Sequence, residues 1–363
     1  MHASDVCARW LDDVLHRGGS LADGVSVTAV ETAPVGTGQV ADSIQIRATY
    51  SAPTKAPTSF VAKLSSDDER SRSAGRTELN YLREVRFYQE IAPELDVRVP
   101  RCHHAEIDSN NTEFVLLLED LSPARQGDQL TGCTVGEVEL ALRQAARLHA
   151  PFWGSPRLIG NPWLDISGTY WERFAEMMPH WWSGFRERYG ERLAAPDVEL
   201  GQAFTDHIRE YYDALRTAPF TVQHGDFRPD NVLFDAAGGT VPLVVLDWQT
   251  VIYAPGAVDV AYFVGGALAT ETRRQNEEAL LNAYHGELVS QGVQAYSRDE
   301  LSRHYAIGTF QNFVIGVAAA MLVARTERGD DLFVSMVTNS LAHARDRDAY
   351  ATMIDTARQV SHV

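Results

Sequence analysis

The chain of 363 residues carries 32 Lys and Arg against 49 Asp and Glu, a formal net charge of −17 at pH 7, with 45% hydrophobic and 22% charged residues. That length allows two packed cores, and the composition is that of an ordinary globular protein. The acidic balance argues against a nucleic-acid partner, because affinity for a phosphate backbone needs clustered Lys and Arg. A small anionic ligand remains compatible, since a few fixed cations and a bound metal invert the field locally. The cysteines Cys7, Cys102 and Cys133 are scattered, form no disulfide framework or metal-binding spacing, and fit a reducing compartment. Asp5, Asp12 and Asp13 stand where a secretory leader needs a basic head and an apolar middle. The most apolar run, "FVIGVAAAMLV" at 313–323, is too short to span a bilayer and reads as a buried helix. The expectation is a cytoplasmic protein with no membrane partner.

Three stretches of period-two patterning open the chain: "VSVTAV" at 25–30, "SIQIRATY" at 43–50 and "SFVAKL" at 59–64. Between the first two lies the loop "VGTGQVADS", with Gly36 and Gly38. "TELNYLREVRFYQEI" at 77–91 follows as a helix, its Leu79, Leu82, Val85 and Phe87 recurring at helical spacing. Two more strands, "RCHHAEI" at 101–107 and "FVLLL" at 114–118, complete a small antiparallel sheet carrying one helix. After "EDLSP" the character changes. Thr134 and Glu137 form a capping-box signature for a helix through about Leu148. Long helices follow over roughly 170–188 and 200–216, and Ser297 with Glu300 opens a late one. The expected fold is α+β and bilobal: an N-lobe of sheet plus helix over 1–118, a hinge at 119–122 and a mainly helical C-lobe over 123–363. Joints between lobes are common places for ligand clefts.

The chemistry concentrates in "VQHGDFRPDNVLFD" at 222–235 and "VVLDWQT" at 244–250. Asp226, Asp230, Asn231 and Asp247 sit close in sequence, beside short runs that read as buried strands. Carboxylates repel, so gathering them at the ends of buried strands points to a cation. Transfer of a nucleotide's terminal phosphoryl group asks a protein mainly for positioning, a divalent metal and fixed cations. Magnesium takes oxygen ligands, a carboxylate or two plus substrate phosphates; Asp247 and the Asn231 side-chain oxygen suit that role. Asp226 is then left to accept or orient a substrate hydroxyl proton, with orientation the larger part, because a carboxylate is a weak base.

"HGDFRPDN" followed by "LDW" resembles the catalytic and metal-binding segments of the kinase-like small-molecule phosphotransferases, the aminoglycoside phosphotransferases and choline kinases. "REVRFYQEIAP", "VRVPRCHHAEI" and "FVLLLEDLS" look most like the ecdysteroid-kinase-like group, and the resemblance runs from about Gly36 to Phe263. It implies a protein-kinase-like fold and an ATP- and Mg2+-dependent kinase acting on a hydroxyl of a small molecule. On that resemblance Asp226 is the catalytic carboxylate, Asn231 and Asp247 are the magnesium ligands, and Arg228 lies near the transferred phosphate. Gly36 and Gly38 form the phosphate loop, Lys63 touches the nucleotide phosphates, and Glu84 is its ion-pair partner, with Glu78 the second choice. The backbone of Glu119, Asp120 and Leu121 meets the adenine edge, and Asp259 steadies the catalytic loop.

Gly225 stands where protein kinases have Arg, and the short span from Asp247 to Asp259 leaves no room for a long activation loop, so a protein kinase is disfavoured. A catalytically silent nucleotide-binding scaffold is the other alternative. His224 reads as a structural residue bonding backbone around the loop, and His149 as a satisfied core histidine. Trp153, Trp163, Trp171, Trp181 and Trp182, with Phe174 and Phe185, read either as helix packing or as the floor of an acceptor pocket. The acceptor candidates are an apolar alcohol, a hydroxyacyl thioester, an antibiotic or an amino alcohol.

Overall fold

In the computed structural model, which describes residues 2–36 and 40–360, the chain divides into two compact units. The first runs to Ala124 and takes back Asp235–Val251; the second comprises Arg125–Phe234 and the chain from Ile252 onward. Residues 123–124 and 235–251, assigned to the larger lobe on sequence, therefore pack with the smaller unit. The main chain shows why: Ala237 N–H donates to the Leu121 carbonyl and Val245 N–H to the Arg98 carbonyl.

The first unit is built on five antiparallel strands, β1 (Val27–Pro34), β2 (Ala41–Tyr50), β3 (Ser59–Ser65), β4 (Cys102–Ile107) and β5 (Phe114–Glu119), in the spatial order β1-β2-β3-β5-β4. Each of the five overlaps one of the five stretches expected as strands. Helix α1 (Ala8–Arg17), which the sequence reading leaves unassigned, packs Leu11, Val14 and Leu15 against Ile46, Phe60, Ala62 and Leu64 of the sheet. The helix expected at 77–91 is interrupted. A polar helix α2 (Glu69–Thr77) ends at Glu78, Leu79 takes a left-handed conformation (φ 57°), and α3 (Asn80–Arg86) starts afresh before a π-turn at Phe87–Ile91. The break resets the helical phase, so Tyr81, Glu84, Val85 and Phe87 are buried while Leu79 and Leu82 are only half-buried. Strand β5 is apolar on both faces, Phe114 to Leu118 being buried throughout, because it has packing partners on both sides of the sheet. A further short strand of this unit, Val241–Val245, leads into Asp247.

The second unit is mainly helical. A two-residue strand β6 (Arg125–Gln126) precedes α4 (Val135–His149), which opens on the Thr134–Glu137 capping box. Helix α5 spans Ser167–Tyr189; the stretch expected as one helix at 200–216 is two, α6 (Ala195–Asp206) and α7 (Ile208–Leu215), with His207 between them. Strand β7 (Phe220–Gln223) pairs antiparallel with Ile252–Pro255, and Val232–Asp235 pairs with β6. Helices α8 (Gly256–Ala267), α9 (Thr270–Ser290), α10 (Arg298–Gly308), α11 (Gln311–Leu322), α12 (Glu327–Asp346) and α13 (Ala349–Val360) complete it, α10 opening on the Ser297–Glu300 capping box. Arg298–Leu322 is long and apolar enough to cross a membrane by composition, yet 72% of its most apolar window is buried inside the protein. The run expected as a buried helix is α11, packed through Phe313, Val314 and Val317.

The aromatic residues at 163–185 belong to this interior rather than to an open pocket floor. Trp163, Trp171, Phe174, Trp181, Trp182 and Phe185 are all buried; Trp182 packs on Phe185 and Phe313, and Trp171 stacks on Tyr212. Trp153 is half-buried against Tyr296. Gly201 is what lets α6 approach Trp182: a Cβ there would lie 2.7 Å from the indole and 3.0 Å from Phe313. Gly201→Ala should lower stability by about 1–3 kcal/mol through overpacking. Gly286→Ala, in an open stretch of α9 with nothing within 4 Å, should raise it by roughly 0.5–1 kcal/mol. Urea unfolding of the two variants reads both signs.

A buried polar knot ties α9, α10 and α12. Glu277 accepts from Tyr305 (2.7 Å), His343 (2.5 Å) and Arg273 (3.3 Å). Burial pushes its carboxyl up, but His343, Tyr305 and Arg273 together hold it down to about 2. A carboxyl depressed in the folded state stabilises the fold above its unfolded value and loses that contribution as pH falls through the folded one. Wild-type stability should therefore drop between about pH 4.5 and about pH 2, and Glu277→Gln should flatten that drop when thermal unfolding is followed against pH.

Candidate active site

The first unit carries an ion-paired trio. On β3, Phe60, Ala62 and Leu64 turn to the α1 side, so the alternating Lys63 turns to the other. Its ammonium lies 2.7 Å from Glu84 Oε2 on α3 and 2.9 Å from Asp247 Oδ1. Glu84 rather than Glu78 is the partner, because the break at Leu79 brings position 84 onto the buried face of α3. Burial alone would lower the Lys63 pKa, but the charges of Asp247 and Glu84 outweigh it and raise it above the usual lysine range. Burial raises the Glu84 carboxyl, against the pull of Lys63. Asp247 itself adopts a left-handed backbone (φ 61°), a conformation that aspartate tolerates better than most residues. The next residue, Trp248, is fully buried and stacked on Phe87 at 3.8 Å between ring centroids, which fixes the Asp247 backbone against α3 and its π-turn.

At the end of β5 the side chains of the expected hinge are used structurally. Glu119 takes both carboxylate oxygens to Arg98 (2.8 and 2.9 Å), and Asp120 accepts from Ser59, Gln45 (2.7 Å) and Ser122 N–H. Burial raises the Asp120 carboxyl, but these donors outweigh it and hold it below the usual carboxylate range. Of the backbone groups, Glu119 N–H is spent on the Arg101 carbonyl and the Leu121 carbonyl on Ala237. Gly36 lies in the connection between β1 and β2 at φ 77°, with open space where a side chain would be. Gly38 lies outside the described residues.

The second unit carries a carboxylate caged by donors. Strand β7 delivers His224, Gly225 and Asp226. Gly225 sits at φ 84°, a left-handed turn that favours glycine and accounts for glycine at the position where protein kinases carry arginine. Asp259, in the first turn of α8 and 2% exposed, accepts the main-chain N–H groups of His224 (2.7 Å) and Gly225 (3.1 Å). His149, fully buried, lies between Asp259 (3.3 Å) and the Tyr284 hydroxyl (2.8 Å), and His224 Nδ1 accepts Asp226 N–H at 3.3 Å. Asp226 Oδ2 accepts Arg228 Nε (3.1 Å) and Asn231 Nδ2 (2.9 Å), and Oδ1 accepts the Tyr262 hydroxyl (2.9 Å). Burial would lower the Arg228 pKa, but the Asp226 charge dominates and keeps the guanidinium firmly protonated. Asn231 Nδ2 also donates to the Asp226 carbonyl at 2.8 Å, so the amide oxygen is the atom left with ligand character. Asp230 meets Arg228 Nη1 at 3.4 Å and also accepts Gln129 N–H and Arg328.

Among the described residues no group of three or more His, Cys, Asp or Glu could hold a metal ion by itself. The Asp247 carboxylate of the first unit, which accepts from Lys63 and Gln249, and the Asn231 amide oxygen of the second are each hard oxygen donors. Oxygens of this kind suit magnesium, which keeps waters and substrate phosphates among its ligands, better than zinc, which prefers nitrogen and sulfur. Tyr262 is the residue the sequence reading misses, since a tyrosine in "GAVDVAYFVGGA" reads as core.

Residues 43–299 match the APH phosphotransferase enzyme family. The chain belongs to that family. The match is to the family as a whole and does not single out the ecdysteroid-kinase-like group. No curated protein sequence matches the phosphotransferase. Its fold is similar to that of a microcompartment-associated aminopropanol kinase (TM-score 0.51, 14% identity, 91% of this chain and 95% of that one). It is also similar to choline kinase from Cryptosporidium parvum (0.50, 9%, 98% and 96%) and to the GDP complex of aminoglycoside 2'-phosphotransferase-IIIa (0.50, 13%, 98% and 98%). The phosphotransferase has the bilobal, kinase-like fold of these structures.

Asp259→Ala should cost roughly 2–4 kcal/mol, because two main-chain donors and a buried histidine lose their acceptor together. The local signature is faster amide hydrogen exchange at His224 and Gly225, measured by NMR under native conditions.

Proposed function

We propose that this phosphotransferase is an ATP- and magnesium-dependent kinase that phosphorylates a hydroxyl group of a small molecule. The observation that carries the reading is Asp226, a carboxylate on a turn pinned by Asp259 and held by three side-chain donors. Such hydrogen bonding fixes the direction of the carboxylate, which is what aiming an incoming alcohol requires. In this mechanism Asp226 aligns the hydroxyl in line with the terminal phosphorus and takes its proton as the new P–O bond forms and the bond from that phosphorus to the bridging oxygen breaks, releasing ADP. Arg228 sets positive charge beside the transferring group, a role a permanently charged guanidinium fills well. Lys63, kept protonated by its two carboxylates, binds the nucleotide phosphates, and Glu84 keeps the ammonium in place.

Asp247 and Asn231 would each offer magnesium an oxygen ligand, and the ion would supply positive charge to the phosphate oxygens. Gly36, with its positive φ, suits a loop whose N–H groups approach phosphate, and Leu121 N–H suits the adenine edge beside Glu119 and Asp120. The aromatic residues of 163–185 are committed to the core, so they give no reason to prefer an apolar alcohol. Apolar alcohols, hydroxyacyl thioesters, aminoglycosides or macrolides, and amino alcohols make up the acceptor panel, and the enzyme is read as cytoplasmic. A silent scaffold has no use for a carboxylate held in this way.

Asp226→Asn should lower acceptor-dependent ADP release by at least roughly 100-fold while ATP binding survives; near-normal turnover would refute the role. Asp247→Ala should weaken nucleotide binding in magnesium but not in EDTA. Titration calorimetry under both conditions checks this, and an unchanged magnesium dependence counts against the ligand assignment.

A further inference from the structure

We infer that Tyr262 is a positioning residue for phosphoryl transfer, fixing the Asp226 carboxylate in the orientation that receives the acceptor hydroxyl. The inference rests on the catalytic role proposed for Asp226. The torsion that swings an aspartate carboxylate about Cβ–Cγ is broad and soft, so fixing it needs bonds on both oxygens. Oδ2 is filled by Arg228 Nε and Asn231 Nδ2. Oδ1 takes one donor, the Tyr262 hydroxyl at 2.9 Å, and keeps a lone pair for a second hydroxyl. Without that phenol the carboxylate is held at one oxygen only, and the oxygen left to face the acceptor is the loose one.

Tyr262 is itself immobilised. It is 1% exposed and packs with Leu332 and Met336 of α12, and its carbonyl accepts Asn312 Nδ2 at 2.9 Å from a fully buried asparagine. Burial, with the Asp226 charge adding to it, keeps the phenol well above its ordinary pKa, so it stays protonated and donates to Oδ1. The spacing on α8 supports a dedicated arrangement. Asp259, Tyr262 and Phe263 stand at i, i+3 and i+4 and share a helical face. Asp259 takes the main chain at 224 and 225, Tyr262 the carboxylate at 226, and Phe263 the ring of Phe227 at 4.7 Å. One face of a short helix thus addresses successive parts of one loop.

The test uses the full chain with magnesium, ATP and water as acceptor, reading kcat and KM from ADP release, with Tyr262→Phe and Asp226→Asn assayed side by side. The expected result for Tyr262→Phe is a kcat lowered roughly tenfold or more, with KM for ATP within about twofold of wild type and cooperative unfolding retained. A residue serving only to pack the core would change stability and leave kcat alone. If Asp226→Asn is impaired while Tyr262→Phe keeps its kcat, or changes only KM, the inference is overturned and the proposed function stands. If neither variant is impaired, the role of Asp226 falls and the inference with it. Should Tyr262→Phe fail to unfold cooperatively, Asn312→Ala replaces it, because it loosens the Tyr262 main chain. A lower kcat at unchanged KM then supports the inference, and an unchanged kcat overturns it.

Discussion

A buried carboxylate with no partner is expensive, and Asp259 avoids that cost by taking two consecutive main-chain N–H groups. The rest of the second unit's site depends on that pair of bonds. They hold the left-handed turn at Gly225, the turn sets the direction in which Asp226 leaves the backbone, and only then do Arg228, Asn231 and Tyr262 find both its oxygens. The helix that carries Asp259 is buried on all sides, so the anchor cannot relax toward solvent. The loop is therefore organised by rigid elements rather than by its own propensity.

The first unit solves a similar problem with the signs reversed. Lys63 is a cation on a buried strand, and it is tolerated because two carboxylates meet it within 2.9 Å. Three such groups placed together leave an excess of negative charge, the local field that suits the proposed magnesium ion. The stack of Trp248 on Phe87 and the left-handed backbone at Asp247 fix the Asp247 carboxylate beside Lys63. Family membership and fold agree with this chemistry without naming an acceptor.

Much of this was legible in the sequence, and the reasons are specific. Three strands of the first sheet lie on stretches of period-two patterning and β5 on an unbroken apolar run, and the capping boxes at Thr134 and Ser297 mark helix starts that local hydrogen bonds determine. The cluster around Asp226 is compact in sequence, so its residue types and spacing carry the chemistry. Glu84 is preferred over Glu78 on sequence and is the partner, but the break at Leu79, one residue in an unusual conformation that sets the helical phase after it, was not legible. Tyr262 was invisible because its partner lies 36 residues away and its surroundings are apolar. The tryptophans were ambiguous for the opposite reason: large apolar rings suit a pocket or a core equally, and only burial against α11 decides for the core. Strands β7 and Ile252–Pro255 are four residues each, too short for a period to register.

The central claim is that a hydroxyl attacks the terminal phosphorus of a nucleotide in this molecule. Its most direct test is to follow label from ATP carrying a radioactive terminal phosphate into products, with magnesium, across a panel of amino alcohols, antibiotics, apolar alcohols and hydroxyacyl thioesters. The account predicts a labelled phosphate monoester on at least one panel member. It would be contradicted if the label stayed on ATP, passed to no acceptor and was not released even to water.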